Sequence, residues 1–89
     1  KVVLLDEKGK EFSSMEFSKY LEKQMNASVR TLAFVVGGAF GFSPKVYEKI
    51  GERIAISRMT FSHQMIRLLV VEQIYRAFTI LKGEPYHNE

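Results

Sequence analysis

The residue types best suited to chemistry lie in one polar loop and in the C-terminal tail. Residues 57–62 hold two serines, a threonine and an arginine between an apolar run and a long helical pattern. Tyr86 and His87 follow Gly83 and Pro85, where helix packing gives no reason for an aromatic ring or an imidazole. Backbone and hydroxyl groups beyond a strand can bind a ligand, and an imidazole can move a proton. We therefore expect function in this loop and tail.

A glycine turn at residues 37–41 is the second candidate. It follows an apolar run and precedes a helix start, but it has neither the G-x-G-x-x-G spacing nor the Lys-Ser/Thr of a P-loop. Its spacing fits two interpretations equally well: a backbone that binds a ligand, or a tight turn that binds nothing. If Leu5, Gly37 and Ile56 end neighbouring strands, the loops after them meet in one crevice suited to a flat heterocycle. The alternative is three ordinary connections.

The remaining polar residues give weaker signals. His63 could act as a base, although a histidine in the first turn of a helix more often caps it or faces solvent. It lies far along the chain from His87, and the sequence has no cysteine, so we expect no metal site. No Ser-His-Asp pattern is recognisable. Arginines and lysines could contact phosphate, but each one alone reads as a solvated charge.

Composition sets limits on the class of protein. Of 89 residues, 46% are hydrophobic and 26% charged, which predicts apolar surface covered by another subunit or by further sequence. Because the chain starts within an apolar strand pattern at Val2, we expect it to be part of a longer protein. The net charge of +3 is a mild bias toward anionic partners. The longest apolar stretch is too short for a membrane span and no targeting signal is visible, so we expect a cytoplasmic protein without a membrane partner.

Strands and helices must alternate to position these residues. Ser13 and Glu16 have capping-box spacing, and Ser43 precedes a proline at the first position of a helix. The pattern predicts strands at 2–5, 31–36 and 53–57, a polar turn at 6–10, and helices at 14–25, 44–50 and 63–82. This alternation predicts a single α/β domain with a mainly parallel sheet.

The last predicted helix is apolar on more than one side. One broad apolar stripe contains Met65, Ile66, Leu69, Val70, Ile74, Ala77, Phe78 and Leu81. Leu68, Val71 and Tyr75 lie outside that stripe. A helix that is apolar around most of its circumference is either deeply buried or shared with a partner. We favour the partner, and predict a homodimer through this helix.

Taken together, three segments resemble the ribosomal large subunit methyltransferase H family. They are residues 5–10 with Ser13 and Ser14, residues 36–41, and residues 56–63 with Arg67, residues 72–77 and the tail 83–87. The family belongs to the SPOUT superfamily of S-adenosylmethionine-dependent RNA methyltransferases and methylates N3 of a pseudouridine in large-subunit ribosomal RNA. The resemblance covers the whole chain, and its third segment with the tail is the specific part.

The resemblance implies a SPOUT-type α/β fold with a parallel sheet and a C-terminal trefoil knot, working as a homodimer. Residues 1–89 would be the C-terminal part of that domain, without the family's N-terminal segment. The contacts to S-adenosylmethionine carried over by position are Leu5, Gly37, Ile56, Ser57, Arg58, Met59, Thr60 and Phe61. One departure is Ala39-Phe40, where some members have a proline and an acidic residue.

The implied reaction is direct displacement of the methyl group by the nucleobase nitrogen, with orientation as the protein's main contribution. Tyr86 and His87 are predicted to order the pocket or to take the N3 proton. Arg76 and Lys82 are predicted to hold phosphate of ribosomal RNA in the ribosome or large subunit. Two alternatives remain: a non-catalytic RNA-binding or ribosome-assembly module with the same fold, and a small α/β nucleotide-binding domain acting in oligomer assembly.

Overall fold

The structure is a computed structural model that describes residues 1–37, 41–57 and 59–87. The elements in chain order are β1 (Val2–Glu11), α1 (Ser14–Asn26), β2 (Ala33–Val36), α2 (Pro44–Lys49), β3 (Arg53–Ala55) and α3 (His63–Leu81). Their strands form one parallel sheet in the order β2-β1-β3. The predicted α/β fold with a parallel sheet is confirmed.

β1 is the central strand, which explains its continuous apolar start. Val3 is 0% exposed, Leu4 is 1% exposed and Leu5 is 8% exposed, as expected for a strand covered on both faces. Leu5 pairs with Val36 on one side and with Ile54 on the other. The buried first part of β1 therefore ends nearly level with β2 and β3, and the chain leaves all three at the same edge of the sheet.

The prediction of a simple polar turn at residues 6–10 is wrong, because β1 continues through these residues to Glu11. Ile54 pairs with Leu5 and again with Lys10, so residues 6–9 form an excursion within the strand. The Lys8 N–H donates to Asp6 Oδ1 at 2.9 Å, a local Asx-type bond that turns the chain. The strand can then resume because Gly9 has no Cβ: an added one would lie 2.7 Å from the Arg53 carbonyl carbon.

Serine caps fix the helix starts, and α1 has the predicted capping box. The Glu16 N–H donates to Ser13 Oγ at 3.1 Å, and the Ser13 N–H donates to Glu16 Oε1 at 2.8 Å. Ser43 and Ser62 cap α2 and α3 through their side-chain oxygens alone, which accept from the Val46 N–H and the Met65 N–H. These bonds satisfy backbone donors that a helix start otherwise leaves without partners.

The core lies between the sheet and the pair α1 and α3. Its fully buried cluster is Val3, Leu5, Phe17, Leu21, Ile54, Val70 and Ala77. Ser18 and Thr79 are also buried, and each hydroxyl donates to a backbone carbonyl of its own helix. α1 and α3 therefore each contribute a narrow buried stripe to the core, and Met25, near the end of α1, is 49% exposed.

α3 presents a second apolar stripe to solvent. Met65 and Phe78, which the spacing placed in one apolar stripe with Val70 and Ala77, are 43% and 40% exposed. They lie in line with Leu68, Val71 and Tyr75, which are 62%, 64% and 54% exposed. The reason is the small sheet, which is wide enough to cover only one side of a helix. We call Met65, Leu68, Val71, Tyr75 and Phe78 the exposed α3 face.

Gly9→Ala tests whether the excursion in β1 depends on close backbone approach. The added Cβ would meet backbone atoms of Arg53 and Ile54 at 2.7–2.9 Å, and backbone cannot turn away as a flexible side chain can. We expect Gly9→Ala to lower the free energy of unfolding by about 1–3 kcal/mol in urea titration. Gly51→Ala is the control, because nothing lies within 4 Å of a Cβ there. Equal stability of the two variants would contradict this account of the excursion.

Candidate functional site

The excursion within β1 and the loops that follow β2 and β3 line one cavity of about 610 Å³. Its lining residues are Leu5, Asp6, Glu7, Val36, Gly37, Gly41, Phe42, Ile56, Ser57, Met59, Thr60, Phe61, Ser62, His63 and Ile66. The predicted convergence of the three loops is therefore confirmed. A cavity of this size at the carboxyl ends of parallel strands suits a ligand of cofactor size.

Phe42 forms one apolar wall of this cavity. Its ring lies against Gly37, where an added Cβ would be 3.0 Å from the nearest ring atom. A glycine at position 37 therefore lets the ring close directly on the backbone after β2. Ile56, Phe61 and Ile66 supply apolar surface from the segment that leads from β3 into α3.

Hydroxyl groups shape the loop between β3 and α3. The Met59 N–H donates to Ser57 Oγ at 3.0 Å, a local turn of the serine type. The Thr60 hydroxyl donates to Glu7 Oε2 at 2.9 Å, so the loop is tied to the excursion in β1. Side-chain oxygens thus hold this loop in shape.

A carboxylate–tyrosine pair joins β1 to α2 at the other side of the cavity. The Tyr47 hydroxyl donates to Asp6 Oδ2, while the Lys8 N–H donates to Asp6 Oδ1 at 2.9 Å. Burial raises the pKa of Asp6, but these hydrogen bonds and the charge of Arg53 outweigh it, and the pKa lies below its usual value. The hydrogen bond to Asp6 in turn raises the pKa of Tyr47. Asp6 is therefore ionised at neutral pH.

Seven of the residues predicted to contact the cofactor line this cavity. They are Leu5, Gly37, Ile56, Ser57, Met59, Thr60 and Phe61. Arg58 lies outside the described residues, as do residues 38–40 of the glycine turn. That these residues bind a cofactor remains a prediction, since the cavity shows only that they are brought together.

The tail lies elsewhere, along the second half of α3. The Tyr86 ring meets Tyr75 edge-on at 4.9 Å between centroids, and the Arg76 guanidinium lies 5.0 Å from the Tyr86 centroid. Arg76 Nη1 is 2.9 Å from His87 Nδ1. Arg76 Nη2 also pairs with Glu72 at 2.6 Å, and that carboxylate raises the pKa of Arg76.

Within one chain, the predicted cavity residues and the predicted tail residues form separate groups. Arg76, Tyr86 and His87 contact one another, and Lys82 is exposed at the end of α3. None of these four residues lines the cavity. Their roles in proton transfer and RNA binding therefore stay predictions.

Sequence reasoning missed several residues around the cavity. Asp6 and Glu7 follow the buried part of β1 directly, and that position was a usable signal. His63, which the sequence offered as a possible base or as a capping or solvent-facing residue, lines the cavity and is exposed, while Ser62 provides the cap of α3. Tyr47 gave no signal, because its contact with Asp6 depends on how α2 is placed.

A second, smaller cavity adjoins the first. It has about 410 Å³ and lies between the start of α1, β3 and α3. Its lining residues are Phe12, Ser13, Ser14, Phe17, Ile54, Ala55, Ile56, Ser57, Phe61, Leu69 and Gln73. Ile56, Ser57 and Phe61 thus separate the two cavities.

Among residues 1–37, 41–57 and 59–87, no group of three or more His, Asp or Glu side chains is placed to hold a metal ion. Nor does any helix in those ranges combine the length and apolarity needed to cross a membrane.

Comparison with known proteins gives consistent matches over the whole chain. The model of a family described as "Predicted SPOUT methyltransferase" matches residues 1–87. A curated protein of Parabacteroides distasonis is 65% identical over 88 residues, and one of Porphyromonas gingivalis is 62% identical over 87. Both are named ribosomal RNA large subunit methyltransferase H. The alignments cover 99% and 98% of this chain but 56% and 55% of the relatives, so the chain spans about half their length.

The lowered pKa of Asp6 predicts a pH dependence of stability. A carboxylate whose folded-state pKa is depressed stabilises the fold above its unfolded pKa, and the gain is lost as pH falls through the folded pKa. We therefore expect wild type to exceed Asp6→Asn in free energy of unfolding at pH 7, by less than about 1 kcal/mol because solvent screens the site. That difference should shrink once the pH falls below the ordinary aspartate pKa of 3.8, and should vanish as the pH falls through the lower folded-state pKa. Urea titrations from pH 7 to pH 2 measure it, and a constant difference would contradict the assignment.

Proposed function

This chain belongs to the SPOUT methyltransferase family, and from that premise we propose that it binds S-adenosylmethionine and methylates N3 of a pseudouridine in large-subunit ribosomal RNA. Because the chain spans about half the length of its relatives, we propose residues 1–89 as the C-terminal part of a single methyltransferase domain. The observation that carries the proposal is the meeting of three strand-end loops in one cavity.

The cavity fits S-adenosylmethionine in size and in the character of its walls. Phe42 on one side and Phe61 with Ile66 on the other offer apolar surfaces for a flat heterocycle. Backbone groups near Leu5 and Gly37 lie at strand ends, where donors and acceptors are available to its polar edges. When bound, the cofactor supplies a methyl group on a positively charged sulfonium.

The proposed role of the loop residues is orientation. Leu5, Gly37 and the run of residues 56–61 would hold the cofactor in a fixed pose, because a reacting methyl group must point at its acceptor. The bonds from Met59 N–H to Ser57 and from Thr60 to Glu7 limit the freedom of the loop. They support the view that this shape forms before the ligand arrives.

A homodimer through α3 would join the two separate groups of predicted residues. The exposed α3 face is a continuous apolar stripe on a helix of 19 residues, about 28 Å long. In a two-fold pair with antiparallel helices, the end of one α3 lies beside the start of the other. Ser62, His63 and Ile66 at that start line the cavity. The partner's tail would then lie near the cavity mouth.

This arrangement supports the proposed roles of the tail. Tyr86 and His87 would order the mouth of the partner's cavity or accept the proton from N3, whose weak acidity requires no strong base. Arg76, held by Glu72 and stacked on Tyr86, would keep the tail in place while it meets RNA phosphate. Lys82 would add a salt-dependent phosphate contact.

Finer features of the family complete the proposal. We propose the family's C-terminal trefoil knot for the segment around β3 and α3, and a cytoplasmic location where ribosomal particles are assembled. The chain carries a net charge of +3, which favours an RNA partner only mildly. The competing function, a ribosome-assembly module with the same fold, would bind RNA without transferring a methyl group.

Methyl transfer is the direct test of the proposed activity. We expect the full-length protein to move a labelled methyl group from S-adenosylmethionine to ribosomes that lack the modification, with mapping to N3 of a pseudouridine. Cofactor binding without transfer to ribosomes or free large subunits would favour the assembly module. Absence of cofactor binding in calorimetry would refute the enzyme.

Charge on the exposed α3 face tests the proposed dimer. Leu68→Glu or Val71→Glu would place a carboxylate in an apolar interface, and we expect the dimer dissociation constant to rise by at least about a hundredfold in sedimentation. Met25→Glu is the control, because Met25 is an exposed apolar residue on α1, at 49% exposure. An unchanged sedimentation profile for both α3 variants would rule this interface out.

A further inference from the structure

Two neighbouring carboxylates at the end of β1 reach to opposite sides of the cavity. Asp6 accepts from the Tyr47 hydroxyl on α2, and Glu7 accepts from the Thr60 hydroxyl in the loop before α3. The excursion at residues 6–9 thus connects both flanking walls of the cavity to the central strand. The two connections differ, because Thr60 is exposed whereas Tyr47 is half-buried among other rings and charges.

Tyr47 is the main attachment of α2 to the rest of the described chain. α2 contributes no buried residue, so the hydrophobic core does not hold it in place. Three contacts converge on Tyr47: its hydroxyl bonds Asp6, its ring meets Phe42 edge-on at 5.9 Å between centroids, and the Arg53 guanidinium lies 4.9 Å from its centroid. One side chain therefore joins α2 to β1, to β3 and to the cavity wall.

The cavity wall depends on this attachment. Phe42 packs against Gly37 on one side and against Tyr47 on the other. Tyr47 does not line the cavity. A shift of Tyr47 away from Asp6 would release the Phe42 ring and widen the space between the wall and the backbone after β2.

We propose that Tyr47 is a positioning residue of the cofactor pocket, acting through its hydrogen bond to Asp6 to hold Phe42 against Gly37. This inference rests on the proposed function, since it names what sets the shape of the same pocket. Tyr47 touches neither cofactor nor RNA in this account. Its effect is on how well the pocket matches S-adenosylmethionine before binding.

The chain offers a matched control in Tyr20. Its hydroxyl donates to Glu52 Oε1 at 2.7 Å, so it is a second tyrosine bonded to a carboxylate. Burial together with Glu52 raises the pKa of Tyr20. Tyr20 lies on α1, stacks on Phe17 at 6.2 Å between centroids, and lines neither cavity. Tyr20→Phe and Tyr47→Phe thus remove the same atom from the same kind of bond.

Calorimetry with S-adenosylmethionine on the full-length protein tests the inference. We expect Tyr47→Phe to raise the Kd about tenfold, because the variant keeps its ring contacts but loses one hydrogen bond to a charged group. We expect Tyr20→Phe to bind within about twofold of wild type, whatever its loss in thermal stability. In methyl-transfer assays, Tyr47→Phe should raise the KM for the cofactor and leave kcat at saturation unchanged.

A double-mutant cycle shows whether Asp6 is the partner through which Tyr47 acts. Asp6→Asn weakens the acceptor, so adding Tyr47→Phe to it should cost little more than the larger single loss. Additive losses would overturn the pairing. Wild-type affinity in Tyr47→Phe, or an equal loss in Tyr20→Phe, would overturn the positioning role. Lack of cofactor binding by wild type would instead overturn the proposed function on which the inference rests.

Discussion

The level pairing of β1 with both neighbours is the constraint on which the rest of the structure depends. Leu5 stands beside Val36 and Ile54 in a parallel sheet, so three chain segments must leave the sheet at one edge. Val3, Leu4 and Leu5 are all buried, which holds this stretch of β1 in the centre of the sheet with both of its faces covered. The cavity follows from the register before any ligand is considered. The proposed binding of a cofactor at this edge would use geometry that the core already requires.

The same small sheet explains why α3 carries two apolar stripes. A three-stranded sheet covers one side of the helix through Val70 and Ala77, and the other side is left in solvent. Leaving Leu68 and Val71 exposed forgoes roughly 1.5–3 kcal/mol for each side chain that a partner could bury. A second copy would recover that free energy and bring the tail of one chain to the cavity of the other. Burial of the exposed α3 face and the proposed position of the tail therefore both favour a homodimer through α3.

Much of the fold and of the candidate site could be predicted from the sequence, for identifiable physical reasons. Capping chemistry is local, so the Ser13–Glu16 box was predictable from spacing alone. Alternating strands and helices imply a parallel sheet, and that implied the meeting of the loops after Leu5, Gly37 and Ile56. Each of these inferences needed only short-range pattern and one rule of topology.

The features that escaped prediction all depend on contacts between distant parts of the chain. The excursion in β1 exists because Gly9 can approach Arg53 closely, which a run of polar residues does not reveal. Phe78 had the spacing of a buried residue, but how much of a helix is covered depends on the width of the sheet. The proposed role of Tyr47 depends on its contact with Asp6, and that contact exists only because of where α2 lies in the fold. The opposite holds for Tyr86 and His87. The sequence singled them out, but within a single chain neither residue lines the cavity.

Amide chemical-shift mapping with S-adenosylmethionine tests the central claim, that the three strand-end loops form one cofactor pocket. On the labelled full-length protein, we predict that the large shifts fall at Leu5–Glu7, Gly37 and residues 56–61. These shifts should saturate at a ratio of one cofactor molecule to each cavity. Shifts concentrated around the second cavity, at Ser13, Ser14 and Gln73, with the loop after β2 unaffected, would contradict the account.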